Sequence, residues 1–470
     1  MEYSVKESAK GDGASLTLQI HHHGAWHDAA DLAVANVRAG IRSPTRLEYD
    51  PFYFIAFGNA ELAAGWPVID WRAVSVRDRV DMAAHRRNHW PPFLLDLLPQ
   101  GHARRRLADE MGFDPDDEGF AFPLLLRGAG SPIGNVRVKQ AYEAERERLG
   151  GETVAGVTLD EVFDRSPSFQ DMAGRFALIA SGSSGVQGEW PKLLLARKDD
   201  GLWYPDSLVG DDEARDHIIV KMSRAKGPED RLILACEAPY LEIARGFGLR
   251  IGRPLSHRGD TLVIPRFDRA VSANGASGGG VTRLGQESLV SAAGVAAFGH
   301  QTTHEAYIAV LHAVCTEPAG EIVEYVLRDL LNRAMGDTDN HGRNTALQKR
   351  PDGWVGLAPR FDFAPMVLDS GVIAPSTRWE CLRGGGFPIR FERICEAVAA
   401  VTGDDGLGWQ LAGVLSAKAD AVAALPETAR AHGVPEPVIA RAFAACGELA
   451  AALAALPAGD FGKGRADAAP

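Results

Sequence analysis

The chain has 470 residues, too many for one ordinary core, so two or three domains are expected. Hydrophobic residues make up 46% and charged residues 24%, the balance of a packed globular protein, which excludes a disordered or fibrous chain. A formal net charge of -12 at pH 7 excludes a chain-wide positive field of the kind that holds a polyanion, so no direct nucleic-acid binding is expected.

No uninterrupted apolar run is long enough to span a bilayer, and the opening MEYSVKESAKGDG lacks the basic-then-apolar pattern of a secretion signal. A cytoplasmic location without membrane contact is the expectation. Cys236, Cys315, Cys381, Cys395 and Cys446 are scattered and odd in number, with no CxxC pair, which reads as reduced thiols rather than a disulfide framework or a zinc site.

In chain order, LTLQI alternates apolar and polar like a strand, and PPFLLDLLPQGHARRRLADEMG reads as helix broken by Pro99. The run His21-His22-His23 with His27 has no carboxylate or cysteine at ligand spacing, so a polar strand edge is expected there rather than a metal site. Arg104-Arg105-Arg106 reads as a solvated helix face. The charged stretch YEAERERLGGE, at 142 to 152, ends in paired glycines and suits a helix end or linker, which puts a domain boundary near 150.

From 176 to 222 the runs FALIA, PKLLLAR and HIIVKMS read as strands of an antiparallel sheet, separated by turn residues. LILACEAPYLEIARGFGL has helical spacing despite Pro239 and ends at Gly248, after which LVIPRFDR returns to strand character. VSANGASGGGV, at 271 to 281, has the composition of a surface loop. Beyond 285 the chain is mostly helical. In EIVEYVLRDLLNRAMG the residues Ile322, Val326, Leu330 and Ala334 recur every fourth position, the stripe of a buried helix.

That helix delivers the chain into GDTDNHGRN, a loop dense in groups that accept protons or bind metal. Asp339 and Asn344 stand in D-x-x-x-x-N spacing, which in kinase catalytic loops places a base near an incoming hydroxyl and an amide oxygen on magnesium. Farther on, GLAPRFDFAPM sets Asp362 between Phe361 and Phe363, where a carboxylate suits Mg²⁺ held against nucleotide phosphates. Upstream, Gly182, Gly185 and Gly188 of SGSSGVQGEWPK permit close backbone approach to phosphates. Lys221 ends the run HIIV, a cation on a strand suited to phosphate oxygens, and Glu237 or Glu242 on the following helix is placed to orient it, with Glu237 preferred.

This order resembles the HipA family of bacterial toxin-antitoxin serine/threonine kinases over roughly residues 15 to 450. It does so through SSGVQGEWPK, HIIVK, the IPRFDR strand at 264 to 269, DTDNHGRN at 337 to 344 and LAPRFDF at 357 to 363. The resemblance implies an α+β chain: a small N-terminal α+β domain at 1–150, then a bilobal protein-kinase-like domain at 151–460. Its β-rich lobe would lie about 165–270 and its helical lobe about 285–456.

It implies Asp339 as catalytic base, and Asn344 and Asp362 as Mg²⁺ ligands. ATP would be held by Gly182, Ser183, Ser184, Gly185, Val186, Gln187, Lys192, Lys221, Glu237 and Phe361. Pro265, Arg266 and Phe267 would form an adenine-side hinge, with His341 near the nucleotide. A regulatory serine is implied in the phosphate loop, with Ser181, Ser183 and Ser184 as autophosphorylation candidates, although GVQGEWPK has extra residues before Lys192 compared with the family loop.

The implied function is phosphorylation of a protein, a translation factor such as an aminoacyl-tRNA synthetase, with growth arrest as the consequence. A DNA-binding antitoxin is the implied partner, and any operator binding would come from it. A small-molecule kinase and a non-catalytic nucleotide-binding regulator are the alternative readings. The IPRFDR strand and the N-terminal domain favour the protein kinase over the first. Intact Lys221, Asp339, Asn344 and Asp362 favour it over the second.

Overall fold

Leu16, Leu18 and Ile20 alternate with Thr17 and Gln19, and because a strand sends successive side chains to opposite faces, the three share one wholly buried face. The computed structural model describes residues 12–58, 68–183, 190–224, 227–271, 280–371, 373–384 and 389–456. The strand is β1 (Ala14–His22). With β2 (Ala25–Val34), β3 (Thr45–Tyr49), β4 (His85–Arg87) and β5 (Val136–Val138) it builds an antiparallel sheet in the order β4-β3-β2-β1-β5. His23 and Gly24, at φ 49° and 76°, make the two-residue turn between β1 and β2, the conformation a tight hairpin requires. β1 lies between β2 and β5 rather than at an edge, so His21 and His22, expected on a polar edge, are buried.

A second antiparallel sheet runs in the order β7-β6-β8-β10-β9, with β6 (Lys192–Arg197), β7 (Trp203–Pro205), β8 (Asp216–Met222), β9 (Ser256–Arg258) and β10 (Thr261–Pro265). FALIA, read as a strand of this sheet, instead lies in the helix Pro167–Ser183. Phe169, Met172 and Phe176 recur at helical spacing and are all buried, so Phe176 belongs to an apolar helix face whose period five residues alone cannot reveal. Two hydrophobic cores serve the two sheets. One draws on residues from Ala14 to Ala141, the other on residues from Leu149 to Val263.

Both sheets fall in the first of two compact units, Met1–Arg224 with Leu255–Phe298 and Ala346–Val355. The second unit, Ala225–Pro254 with Gly299–Thr345 and Gly356–Pro470, is helical. Its helix Pro228–Phe247 carries Glu229 and Asp230 in its first turn, where the helix dipole favours them, and stops at Gly248, whose φ of 104° only glycine adopts readily. Pro239 is accommodated within it.

The helix Pro318–Ala334 buries Ile322, Val326, Leu330 and Ala334 as their spacing requires. The helices Phe391–Thr402, Asp405–Ala417 and their shorter successors to Ala454 complete the unit. All five cysteines are unbridged. Among the described residues no single helix is long and apolar enough to cross a membrane. Most of the glycine-rich run at 271–281 lies outside the described residues.

Candidate catalytic site

In the second unit the chain leaves Pro318–Ala334 through Gly336, at φ 66°. A side chain there would also press on the backbone of Ala442, with Cα 2.9 Å from a Cβ, so glycine is needed twice over. The loop that follows is held from several sides. The Asp337 carboxylate accepts the Asp339 N–H at 3.1 Å, and Asn340 and Thr377 exchange hydrogen bonds, with the Asn340 amide donating to the Thr377 carbonyl at 3.0 Å. Gly342 sits against the ring of Tyr307 so closely that a Cβ would overlap the phenol. The backbone then turns, with Asn344 N–H donating to the His341 carbonyl at 2.9 Å.

These constraints bring Asp339, His341 and Asn344 together. Asn344 Nδ2 donates to the Asp339 carbonyl at 2.8 Å and approaches its Oδ2 at 3.3 Å, which leaves Asn344 Oδ1 as the oxygen able to act as a ligand. His341 Nε2 lies 3.5 Å from Asp339 Oδ1. The Asp339 carboxylate therefore has a fixed backbone and a partly exposed head, the condition a proton acceptor needs.

Asp362 has φ 52°, a left-handed conformation that costs energy for a residue with a side chain and that collects at functional sites. Its neighbours fix it. Phe363 is fully buried edge-on to Tyr240, 5.2 Å between centroids, and Tyr240 donates to the Met335 carbonyl at 3.0 Å. Arg360 stacks over Phe363 at 4.2 Å and donates to Asp337 at 3.0 Å, so one buried guanidinium ties the loop bearing Asp362 to the loop bearing Asp339. Burial pushes the Asp337 carboxyl up to about 7 against the pull of Arg360, and the charges on Asp339 and Asp362 add to the rise.

Asp337 and Arg360 were not singled out in the sequence. The paired aspartates of GDTD and the arginine of APRFD were visible, but nothing in the sequence shows that they meet.

Among the described residues no group of three or more histidine, cysteine or acidic side chains forms a protein-only metal cage. Mg²⁺ taken up with a nucleotide needs only one or two carboxylates besides phosphate oxygens and water, and the Asp362 carboxylate with the Asn344 amide oxygen is a donor set of that kind.

In the first unit, Lys192 of β6 stands directly opposite Lys221 of β8, and both are buried. Trp190 carries Lys221 Nζ at 5.3 Å and the Arg224 guanidinium at 4.4 Å from its ring centroid.

Pro265 ends β10, and Phe267 accepts a bond from Gln348 Nε2 at its carbonyl. The Arg266 side chain is turned inward, onto Asp268 at 2.7 Å and Asp206 at 3.2 Å. Burial alone would raise the Asp268 carboxyl, but Arg266 and Arg269 hold it below the usual carboxylate range. Glu237 is buried in the helix Pro228–Phe247 of the second unit. The backbone of Ser181, Gly182 and Ser183 forms the end of the helix Pro167–Ser183, while Ser184, Gly185, Val186 and Gln187 lie outside the described residues.

Residues 184–405 match the HipA-like C-terminal domain, the stretch that carries Lys221, Asp339, Asn344 and Asp362. This part of the chain is similar to the HipA family. Its fold agrees: HipA of Shewanella oneidensis MR-1, solved in a complex with HipB and operator DNA, superposes with a TM-score of 0.56 over 93% of this chain and 96% of that one, at 16% identity. The mixed, protein-kinase-like architecture of HipA is thus present. "Putative kinase Y4mE" of Sinorhizobium fredii (strain NBRC 101917 / NGR234) is 27% identical over 291 residues, 59% of this chain and 64% of that protein, so the match spans less than two thirds of the relative's length.

Proposed function

We propose that this chain, whose residues 184–405 match a HipA-like C-terminal domain, is an ATP- and Mg²⁺-dependent kinase that phosphorylates a serine or threonine of a protein. The observation that carries the reading is the locked Asp339 loop: Asp337 fixes its backbone, Asn344 donates to it, and Arg360 ties it to the loop of Asp362.

In this reading Asp339 orients the acceptor hydroxyl and takes its proton as the oxygen attacks the γ-phosphorus and ADP leaves. Mg²⁺, when bound, neutralises charge on the phosphates, and Asn344 and Asp362 are the residues to hold it. Lys192 and Lys221 hold phosphate oxygens, and Pro265 and Phe267 flank the adenine, with Arg266 bracing them from behind. Ser181, Ser183 and Ser184 remain the autophosphorylation candidates.

The separate cores on either side of residues 141 and 149 support a domain reading of 1–150 and 151–460. A cytoplasmic chain with a DNA-binding antitoxin and a translation factor as target completes the proposal. The presence of HipB and operator DNA with the Shewanella protein supports the antitoxin.

The test is incubation of the purified protein with radiolabelled ATP and Mg²⁺, alone and with cell extract, beside Asp339→Gln. Label on this chain or another protein that disappears in the variant is the expected result. Nucleotide binding without transfer to any protein would move the reading to a small-molecule kinase or a silent regulator.

A further inference from the structure

Beside the Asp339 loop, the second unit opens into a cleft of about 1550 Å³, which Asp337, Thr338 and Asn340 border. Arg378, Arg390, Arg393 and Arg441 line it, drawn from three separate stretches of the chain. The acidic residues of the lining are mostly engaged elsewhere. Asp329 holds Arg333 at 2.8 Å and Trp379 at 2.8 Å, Asp337 holds Arg360, and Glu380 pairs with Arg383 at 3.0 Å. Glu392 is the exception, and among the described residues none of the four arginines has a carboxylate partner. In a chain of net charge -12, four such guanidinium groups in one cleft are a local reversal of sign.

We infer that this cleft docks an acidic polypeptide segment, the one carrying the hydroxyl that is phosphorylated. Three observations choose that occupant. The volume exceeds the roughly 300–1,000 Å³ of an ordinary small-molecule site, so a chain segment suits it better than a metabolite. The lining mixes the arginines with apolar surface from Val367, Ile389 and Ala442, which suits side chains of mixed character better than a sugar-phosphate backbone. The acidic balance of the whole chain opposes a long polyanion but not a short acidic stretch confined to one cleft. The inference rests on the kinase reading above, because the position beside Asp339 is what makes the docked segment a substrate.

The experiment measures binding directly, so that it does not depend on turnover. Short fluorescein-labelled peptides, each with one serine flanked by glutamate and aspartate or by lysine and arginine, are titrated with the full chain by anisotropy, with a single-stranded RNA of similar length as competitor. The acidic peptide is expected to bind about tenfold or more tightly than the basic one. The double charge reversal R390E/R393E is expected to abolish that preference, while R390K/R393K, melting as the parent does, keeps most of it. Equal binding of the two peptides, or an acidic preference that survives R390E/R393E in a folded protein, overturns the inference. So does RNA that binds more tightly than the acidic peptide. Phosphate transfer from labelled ATP is scored separately: transfer without an acidic preference removes this inference and leaves the kinase standing, whereas an acidic preference without transfer to any protein removes the kinase and leaves the docking surface.

Discussion

Asp337 shows how one buried carboxylate can hold the backbone of a neighbouring loop residue in place. Its carboxylate has two clients, the Asp339 N–H and the Arg360 guanidinium, and it is almost wholly buried with both. Asp337→Asn retains an oxygen for the N–H but leaves Arg360 as a buried charge without its counterion, an error that costs about 3 kcal/mol in other proteins. The expected outcome in urea unfolding is a loss of that order. Asp337→Asn combined with Arg360→Met is expected to be less destabilised than the single variant, because both charges are then gone. In phosphate transfer the single variant should lower kcat well before it changes ATP affinity.

Gly342 is subject to a steric constraint instead. A methyl group there overlaps Tyr307, so Gly342→Ala should lose about 1–3 kcal/mol by overpacking, and Tyr307→Leu in the same chain should return part of it. Asp362→Ala, by contrast, removes the carboxylate that the proposed function assigns to Mg²⁺. Its expected signature in calorimetry is weaker Mg·ATP binding with little change in melting temperature.

At the scale of an element, β1 carries two buried histidines into the first sheet. Burial, with the neighbouring charges of His27, His23, His21 and Arg72 adding to it, pulls His22 down to about 3; burial and Arg283 pull His21 down to about 4 against the raising pull of Asp211. A base whose folded pKa is depressed contributes stability that is complete above the unfolded value of 6.5 and is lost as pH falls below it, because the unfolded chain takes up the proton first. Between pH 6.5 and about pH 5 each histidine should therefore cost on the order of 1–2 kcal/mol. His22→Phe keeps an aromatic ring stacked on His27 and removes one titration, so its urea midpoint should fall less steeply over that interval than the parent's. An unchanged slope would locate the acid sensitivity elsewhere.

The same strand shows what a sequence makes legible. The alternation of LTLQI gave β1 correctly, but its interior place in the sheet depends on β5, a partner more than a hundred residues away, and His22 packs against Tyr53, Phe57 and Trp71 from later in the chain. FALIA was misread because five apolar residues fit either period. Asp339, Asn344 and Asp362 could be singled out as candidates because each sits in a short run with fixed spacing. The Asp337–Arg360 pair and the four arginines of the cleft could not be, since they are assembled from distant stretches.

At the scale of the whole chain, position 150 falls between two hydrophobic cores but does not divide the polar network of the first unit. Glu287, which burial pushes up to about 7, accepts from Ser75 Oγ at 2.6 Å and from the Val76 N–H at 2.9 Å. Asp268 accepts from the Gly134 N–H at 2.9 Å, and Arg269 donates to the carbonyls of Gly134 and Pro132 at 2.9 Å each. Lys349 donates to the Ala73 carbonyl at 2.8 Å, and Asp96 receives the Ser288 N–H at 2.9 Å.

Every one of these bonds joins a residue before 150 to one after it, and most are buried. Left without partners, such groups cost about 1–3 kcal/mol apiece, and the total approaches the 5–15 kcal/mol that holds a typical domain folded. Residues 151–470 expressed alone should consequently be insoluble or melt without a cooperative transition, although they contain every residue assigned to catalysis. A sharp melt of that fragment within a few degrees of the full chain would mean that water satisfies these groups adequately. Co-expression of 1–150 as a separate chain distinguishes the causes: recovery of soluble complex points to the severed polar network, and failure to recover points to a requirement for the covalent link.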